Sequence, residues 1–200
     1  MIALAIYNRT PTILRHWADA GYRCISVDIQ PASEPYPGIE HVQADVLTWI
    51  PPRGEYAACF AFPPCTDLSV SGARWFPDKG LGRLARAIEL VERGRQICEW
   101  TGAPGFLENP VSTISSYWRK PDFRFNPSDY GDPWTKLTCL WAFGGFTMPP
   151  KTPVEPTQGS KMHLMPPSDE RANLRSATPP GFSRAVFMHL TSPNQIRECA

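Results

Sequence analysis

The chain has 200 residues, 42% of them hydrophobic, the size of one domain that can enclose a core and still leave a cleft. Its formal net charge of +1 gives no overall attraction to a polyanion, so any affinity for nucleic acid has to come from a local patch. It contains no run of about 18 apolar residues and no charged start followed by a long apolar core, so the expectation is a cytoplasmic protein with no membrane partner.

Taken in chain order, Ala3-Leu4-Ala5-Ile6-Tyr7 is a short apolar run suited to a buried first strand. Over residues 10–20, Ile13, Leu14, Trp17 and Ala18 fall at helical spacing, with Thr10 as N-cap, Pro11 at the first helical position and Gly21 as the stop. Residues 23–28 read as a second strand ending in Asp28, residues 40–46 as a third with Asp45 near its end, and residues 56–62 as a fourth. Residues 81–100 carry Leu84, Ala87, Ile88, Val91, Ile97 and Cys98 at spacings of three and four, the pattern of the longest amphipathic helix. A fifth strand follows at 105–107. Strands alternating with helical patterns predict an α/β fold with a Rossmann-like, doubly wound, mostly parallel sheet. Beyond Ser112 the periodicity weakens: 134–141 reads as a strand, 142–180 as a Pro/Gly-rich loop region and 182–190 as a final helix.

The six cysteines, at 24, 59, 65, 98, 139 and 199, include no CxxC pair, which speaks against a zinc ribbon and a disulfide framework. His16, His41, His163 and His189 are scattered, so no metal site is expected. Cys24, Cys59, Cys98 and Cys139 sit among apolar residues and read as core.

Cys65 is different. It follows Phe62-Pro63-Pro64 at the end of the fourth strand and precedes Thr66-Asp67-Leu68-Ser69. Each proline fixes its own φ at about −65° and biases the residue before it toward extended geometry, so the thiol sits on a stiff turn. Some forty residues later, Gly105-Phe106-Leu107-Glu108-Asn109-Pro110 reads as a short buried strand ending in a carboxylate and an amide. If the two strands are parallel neighbours, Cys65 and Glu108 emerge at the same sheet edge, where open α/β sheets bind ligands. The plainer alternatives are a small buried hydrophobe for Cys65 and a capping or ion-paired acid for Glu108.

A strand-end Pro-Pro-Cys followed at this distance by a strand-end Glu-Asn-Pro resembles the cytosine-5 DNA methyltransferases, particularly their short phage-encoded type. Three further blocks are similar to that group and stand in the same order: residues 64–76, the run Trp134-Thr135-Lys136-Leu137-Thr138-Cys139-Leu140-Trp141, and residues 175–183. The resemblance extends from about Ala3 to about Met188.

The resemblance implies a class I methyltransferase-like domain over residues 1–200, with 142–180 in place of a full target-recognition domain. It further implies transfer of a methyl group from S-adenosylmethionine to C5 of cytosine in DNA. Adding a thiolate to C6 turns C5 into a carbon nucleophile, and a proton or hydrogen bond at N3 eases the addition. Cys65, on the loop with Pro64, is then the nucleophile and Glu108 the N3 partner, with a pKa that a dry pocket would raise. Asn109 holds the carboxyl or the loop, and Lys136 contacts the base's O2, with a phosphate contact or a plain surface lysine as the alternatives.

For the cofactor, the implied residues are Asp28 and Ile29 at the ribose, Asp45 and Val46 at the adenine, and Tyr7, Arg9 and Thr10 in the first loop. Asp28 and Asp45 each also read as a solvated strand-end acid. The family's first loop is glycine-rich, whereas this chain has no glycine before Gly21. That leaves three outcomes: S-adenosylmethionine held by backbone N–H groups with Arg9 on its carboxylate, a related cofactor with a further carboxylate, or lost cofactor binding.

Ser69, Ser71, Arg74 and Trp75 follow the nucleophile on a loop implied to meet nucleic acid, Arg74 at a phosphate and Trp75 by stacking or wedging, with a solvated arginine and a packed tryptophan as the plainer alternatives. Only about forty residues separate Trp141 from Phe182, too few for a recognition domain. The expected partner of this chain, read as a monomer in a phage-infected bacterial cytoplasm, is double- or single-stranded DNA or a cytosine nucleotide. The alternative functions are a nucleotide C5-modifying enzyme of the dCMP type and a catalytically silent nucleic-acid- or nucleotide-binding relic.

Overall fold

The computed structural model of the chain describes residues 1–160 and 176–192. His163, Arg175 and Cys199 lie outside the described residues. The first strand, β1 (Ile2–Ile6), is buried on both faces because its residues alternate between two cores. Ile2, Leu4 and Ile6 join one apolar cluster and Ala3 and Ala5 the other. After it come α1 (Arg15–Asp19), β2 (Arg23–Asp28), β3 (Ile39–Gln43) and β4 (Tyr56–Ala61). A 3-10 turn (Val70–Trp75) leads into α2 (Phe76–Thr101), which is kinked at Gly80 (φ 74°, ψ 169°). Then follow β5 (Gly105–Pro110), the single turn α3 (Ile114–Tyr117), β6 (Phe123–Phe125), a 3-10 turn (Pro127–Tyr130), β7 (Thr138–Phe143) and α4 (Pro180–Leu190).

The strands form one sheet in the order β3-β2-β1-β4-β5-β7-β6. The β1–β2, β2–β3, β1–β4 and β4–β5 pairs are parallel, and β7 runs antiparallel to both β5 and β6. The chain reverses direction across the sheet at β1 and β4, the switch point where such folds take ligands. This is the Rossmann-like, class I methyltransferase-like sheet that the sequence predicts.

Each face of the sheet has its own cover. Ala87, Val91, Ile97 and Cys98 of α2 pack on Cys59, Ala61 and Leu107. On the other face Trp17 of α1 and Phe182 and Val186 of α4 pack on Phe60, Phe106 and Leu140. The approach of α4 is close: a Cβ on Gly181 would stand 1.9 Å from the Tyr130 carbonyl oxygen, so only glycine fits. Asp132 Oδ2 accepts from the Gly181 amide at 2.9 Å, and Ser183 Oγ donates to the Thr12 carbonyl at 2.6 Å.

Several boundaries differ from the sequence reading. Residues 11–14 form a turn onto the Pro11 carbonyl, so α1 begins only at Arg15. Thr10 is not its N-cap; the Thr10 carbonyl instead accepts the Asn8 side-chain amide at 2.8 Å. Asp45 lies beyond β3, whose last pairing joins Asp28 to Gln43. β5 continues to Pro110 because its antiparallel neighbour pairs through Thr138. Residues 134–137 are loop, held by bonds from the Gln158 amide to the Pro133 carbonyl and from the Thr135 amide to the Gly159 carbonyl. β7 therefore starts after Lys136, not at Trp134. Residues 144–160 contain no helix or strand, in keeping with the loop region expected there.

Candidate active site

The register Ala61↔Leu107 brings the ends of β4 and β5 side by side. Cys65 and Glu108 therefore leave the sheet at the same edge. Beyond β4, Pro63 is buried, Pro64 exposed and Cys65 half-buried. The Cys65 carbonyl accepts the Leu68 and Ser69 amides at 3.0 and 2.8 Å, making the turn on which the thiol sits. Leu68 anchors that turn in the core. From outside, Asp67 is held by Lys79 at 3.0 Å and Arg83 at 3.2 Å, and Lys79 also donates to the Thr66 carbonyl at 2.6 Å.

The two strand-end loops are joined. The Val70 amide donates to the Val111 carbonyl and the Thr113 amide to the Leu68 carbonyl, with Ser69 bridged to Ser112. Asn109 is fully buried, and its Nδ2 donates to the Pro63 carbonyl at 3.0 Å. Of the two placements expected for it, it bonds to the loop that carries Cys65. The sequence reading missed Asp67, Lys79 and Arg83; the signal was an acid two residues after Cys65 with two bases, one helical turn apart, at the start of the following helix.

Glu108 faces the side of the sheet covered by α4. Its carboxyl is 14% exposed, Oε1 has no hydrogen-bond partner, and Lys136 Nζ stands 3.9 Å away. Burial pushes the Glu108 pKa up, and the Lys136 charge opposes this only in part. Glu108 and Lys136 line a small cavity with Phe62, Phe106, Thr178 and Phe182. Its volume is about 10 Å³, room for one water molecule. Cys65 is not part of its wall, so thiol and carboxyl share an edge without sharing an open cavity. A larger cavity of about 170 Å³ lies on the opposite face, between α2 and α3, with a largely apolar wall that includes Leu68, Val91, Ile114 and Trp118.

At the other end of the edge, Asp28 closes β2. Its Oδ1 accepts the Gln30 amide at 2.8 Å, and burial raises its pKa against the pull of that bond and of His41 and Arg9. Ile29 is exposed, and Arg9 reaches Gln30 Oε1 at 3.3 Å. Asp45 is engaged twice, by the Leu47 amide at 3.0 Å and by Arg86 of α2 at 3.1 Å.

Two expected cofactor residues are placed otherwise. Val46 is packed in the core and its carbonyl accepts Arg93 Nε, so its side chain offers no surface to a ligand. Tyr7 turns its ring beneath α2, where Oη donates to the Leu90 carbonyl at 2.8 Å. Burial, with the Asp45 carboxylate adding to it, pushes the Tyr7 phenol well above the usual tyrosine range. Asn8, which the sequence reading passed over, stitches the first loop by donating to the Thr10 carbonyl and to Ser26 Oγ, whose hydroxyl donates back to the Asn8 carbonyl. An asparagine two residues before Thr-Pro was the sign of such a side-chain-closed turn.

S-adenosylmethionine fits this edge at one end. Asp28 offers a carboxylate acceptor suited to ribose hydroxyls, and Asp45 a second one if it leaves Arg86. The first loop fits less well, because residues 7–11 all carry side chains and Asn8 ties the turn shut.

On the nucleic-acid side, Ser69 corrects the expectation: it is buried and its hydroxyl is shared with Ser71 at 2.9 Å. Ser71, Arg74 and Trp75 are exposed, with the Arg74 guanidinium 4.9 Å from the Trp75 ring centroid. Among the described residues no group of three or more His, Cys, Asp or Glu could hold a metal ion, and no helix is long and apolar enough to cross a membrane.

No protein-family model matches the chain, and no curated protein matches it. Among solved structures, the crystal structure of the glycopeptide N-methyltransferase MtfA is similar to it at 12% identity and a TM-score of 0.33. The alignment covers 71% of this chain and 65% of that one, so this chain spans less than two thirds of that protein's length. So slight a likeness carries no weight for fold or activity; the strand order and register stand on their own.

Proposed function

We propose that this chain is a cytosine-5 methyltransferase acting on DNA. The observation that carries the reading is the coupling of two strand ends: Asn109 of β5 grips the Pro63 carbonyl on the Cys65 loop, and its neighbour Glu108 presents a desolvated carboxyl with an unpartnered oxygen. A group of that kind suits a heterocycle nitrogen that needs a proton. S-adenosylmethionine, when bound at the Asp28 edge, supplies an electrophilic methyl group. Cys65, as thiolate, would bond through Sγ to C6 as Glu108 protonates or hydrogen-bonds N3, and the electron pair released at C5 would accept the donor's methyl group, leaving S-adenosylhomocysteine. Loss of the C5 proton to solvent would then re-form the double bond as the C6–S bond breaks, returning the electron pair to Cys65 and the N3 proton to Glu108. Trp75 and Arg74, exposed beside the loop, are suited to stack on a base and meet a phosphate.

The test is nucleoside mass spectrometry after incubation with labelled S-adenosylmethionine and DNA, comparing the parent with Cys65→Ser. Label in 5-methylcytosine from the parent, and none from the variant at unchanged thermal stability, is the expected result. Retained transfer by Cys65→Ser removes the covalent route.

A second reading, modification of a free deoxycytidine nucleotide, is favoured by residues 144–160, which build no helix or strand that could read a sequence. Label found in dCMP rather than in DNA selects it.

A further inference from the structure

Cys65 is flanked in the chain by two carbonyls that side chains from other elements hold. Ahead of it the Pro63 carbonyl accepts from Asn109 of β5, and behind it the Thr66 carbonyl accepts from Lys79 Nζ of α2 at 2.6 Å. The second post also carries something else. Lys79 stands 13 positions beyond Thr66, and the chain between them runs out through the 3-10 turn with its exposed Arg74 and Trp75 before it comes back. On its return Lys79 Nζ stands 3.0 Å from Asp67 Oδ1 and 5.8 Å from the centroid of the Phe76 ring. With a carbonyl, a carboxylate and a ring around it, the side chain is only 18% exposed, whereas lysine heads ordinarily stay in water. Gly80 follows at once, and its positive φ sets the turn carrying Lys79 apart from the body of α2. Arg83 reaches the same carboxylate from that body, 3.2 Å from Oδ1 and donating through Nε to Oδ2 at 3.3 Å. Arg83 is largely exposed, the ordinary kind of surface pair that contributes little; Lys79 is enclosed and ties down the peptide next to the nucleophile.

We propose that Lys79 is a positioning residue for the Cys65 nucleophile: by clasping the Thr66 carbonyl and Asp67 it closes the neck of the loop that carries Arg74 and Trp75, so that loop and thiol are placed together. The proposal rests on the methyltransferase reading and deepens it, adding to Asn109 a second support that acts on Cys65 from the other side of its turn. It accounts for a lysine ordered by three neighbours, and for a kink glycine placed directly after it. A substrate that engages Arg74 or Trp75 bears, through one ammonium group, on the peptide beside the nucleophile.

The experiment measures methyl transfer from S-adenosylmethionine to DNA and to dCMP by the whole protein, for the parent, Lys79→Met, Lys79→Arg and Arg83→Met, with hydrogen exchange on the same four proteins. Lys79→Met keeps the length of the side chain and loses its donor and charge. Its kcat should fall roughly 10- to 100-fold, the cost of a reacting group displaced by about 1 Å, while KM for S-adenosylmethionine stays within about twofold. Lys79→Arg can still donate to the Thr66 carbonyl and pair with Asp67, and should recover most of that loss. Arg83→Met takes a charge from the same carboxylate without opening the loop, and should cost several-fold less than Lys79→Met. Exchange of the Leu68, Ser69 and Gly72 amides, which bond to the Cys65 and Ser69 carbonyls, should quicken at least about fivefold in Lys79→Met and return toward the parent's rate in Lys79→Arg, with β1 amides unmoved in both. Retained kcat in Lys79→Met, an equal loss in Arg83→Met, no recovery in Lys79→Arg, or unmoved exchange overturns the proposal while leaving the methyltransferase reading in place. No transfer by the parent to either substrate overturns that reading, and the role of Lys79 falls with it.

Discussion

Asn109→Ala isolates the bond that joins the two halves of the candidate site. Nδ2 is the donor to the buried Pro63 carbonyl at 3.0 Å, while Oδ1 of the same amide is buried with no partner. Truncation therefore acts in two directions: it strands a carbonyl, at about 1–3 kcal/mol, and it removes an oxygen whose burial already carried a similar penalty. The expected net loss of global stability is about 1 kcal/mol, a fall in Tm of roughly 2–4 °C for a chain of this length. The local effect should be larger than the global one, because Pro63 is the buried post from which the Cys65 turn is hung. Hydrogen exchange reads this directly: the Leu68 and Ser69 amides, bonded to the Cys65 carbonyl, should exchange at least tenfold faster, while amides of β1 change only by the global amount. Uniform acceleration across both regions, or none at Leu68 and Ser69, would refute the idea that Asn109 fixes the nucleophile loop.

Glu108→Gln tests the desolvated carboxyl through pH. Its folded pKa is raised above the unfolded value by burial, so the proton it binds in the folded state stabilises the protein fully below the unfolded pKa, and that contribution is lost as pH rises through the folded pKa. The neutral amide has no charge to bury, so the variant should gain on the parent in stability from acidic to neutral pH and show no such gain near pH 3; a constant difference across denaturant titrations at both ends disproves it. Gly181→Ala forces a methyl into the Tyr130 carbonyl, and thermal unfolding should show a loss of about 2–4 kcal/mol. Trp75→Ala should weaken single-stranded DNA binding by about 5- to 150-fold, matching the roughly 1–3 kcal/mol of one stacked base, at unchanged Tm; anisotropy titrations that do not move remove Trp75 from the interface.

The strands that the sequence disclosed were those whose apolar runs are buried on both faces. β2 was read to the residue, and β1 and β4 to within one, because a continuous run such as Cys24-Ile25-Ser26-Val27 can only sit in the middle of a covered sheet. The edge strand β6 was invisible: three residues, Phe123-Arg124-Phe125, carry too little pattern, and they form a strand only because β7 is there to pair with. Helix α1 was overcalled for the opposite reason. Its apolar spacing is real, since Ile13, Leu14 and Trp17 are all fully buried, but a local side-chain bond from Asn8 captured the carbonyl that an N-capped helix would have used. At the site, chain order revealed which residues stand at the edge and could not reveal which way they face. Val46, Ser69 and Tyr7 stand where expected in the sequence, and packing turned each of them inward.

Alternation along β5 explains how two adjacent residues serve one site from opposite sides of the sheet. Leu107 and Asn109 point to the face of α2, where Asn109 meets the Pro63 carbonyl; Phe106 and Glu108 point to the face of α4, where Phe106 meets Phe182 and Glu108 meets Lys136. On the proposed reading a base that is to reach Glu108 must enlarge a cavity with room for only one water molecule, and its walls are unequal. The α4 side is pinned by the Gly181–Asp132 and Ser183–Thr12 bonds and by Phe182 stacked on Phe125 at 4.0 Å. Lys136 sits on a loop ahead of β7 and stands 3.9 Å from Glu108, too far for a hydrogen bond. On the proposed reading the base would enter past the lysine, whose departure would strip Glu108 of its partner charge, raise the carboxyl's pKa further and ready it to protonate the incoming ring.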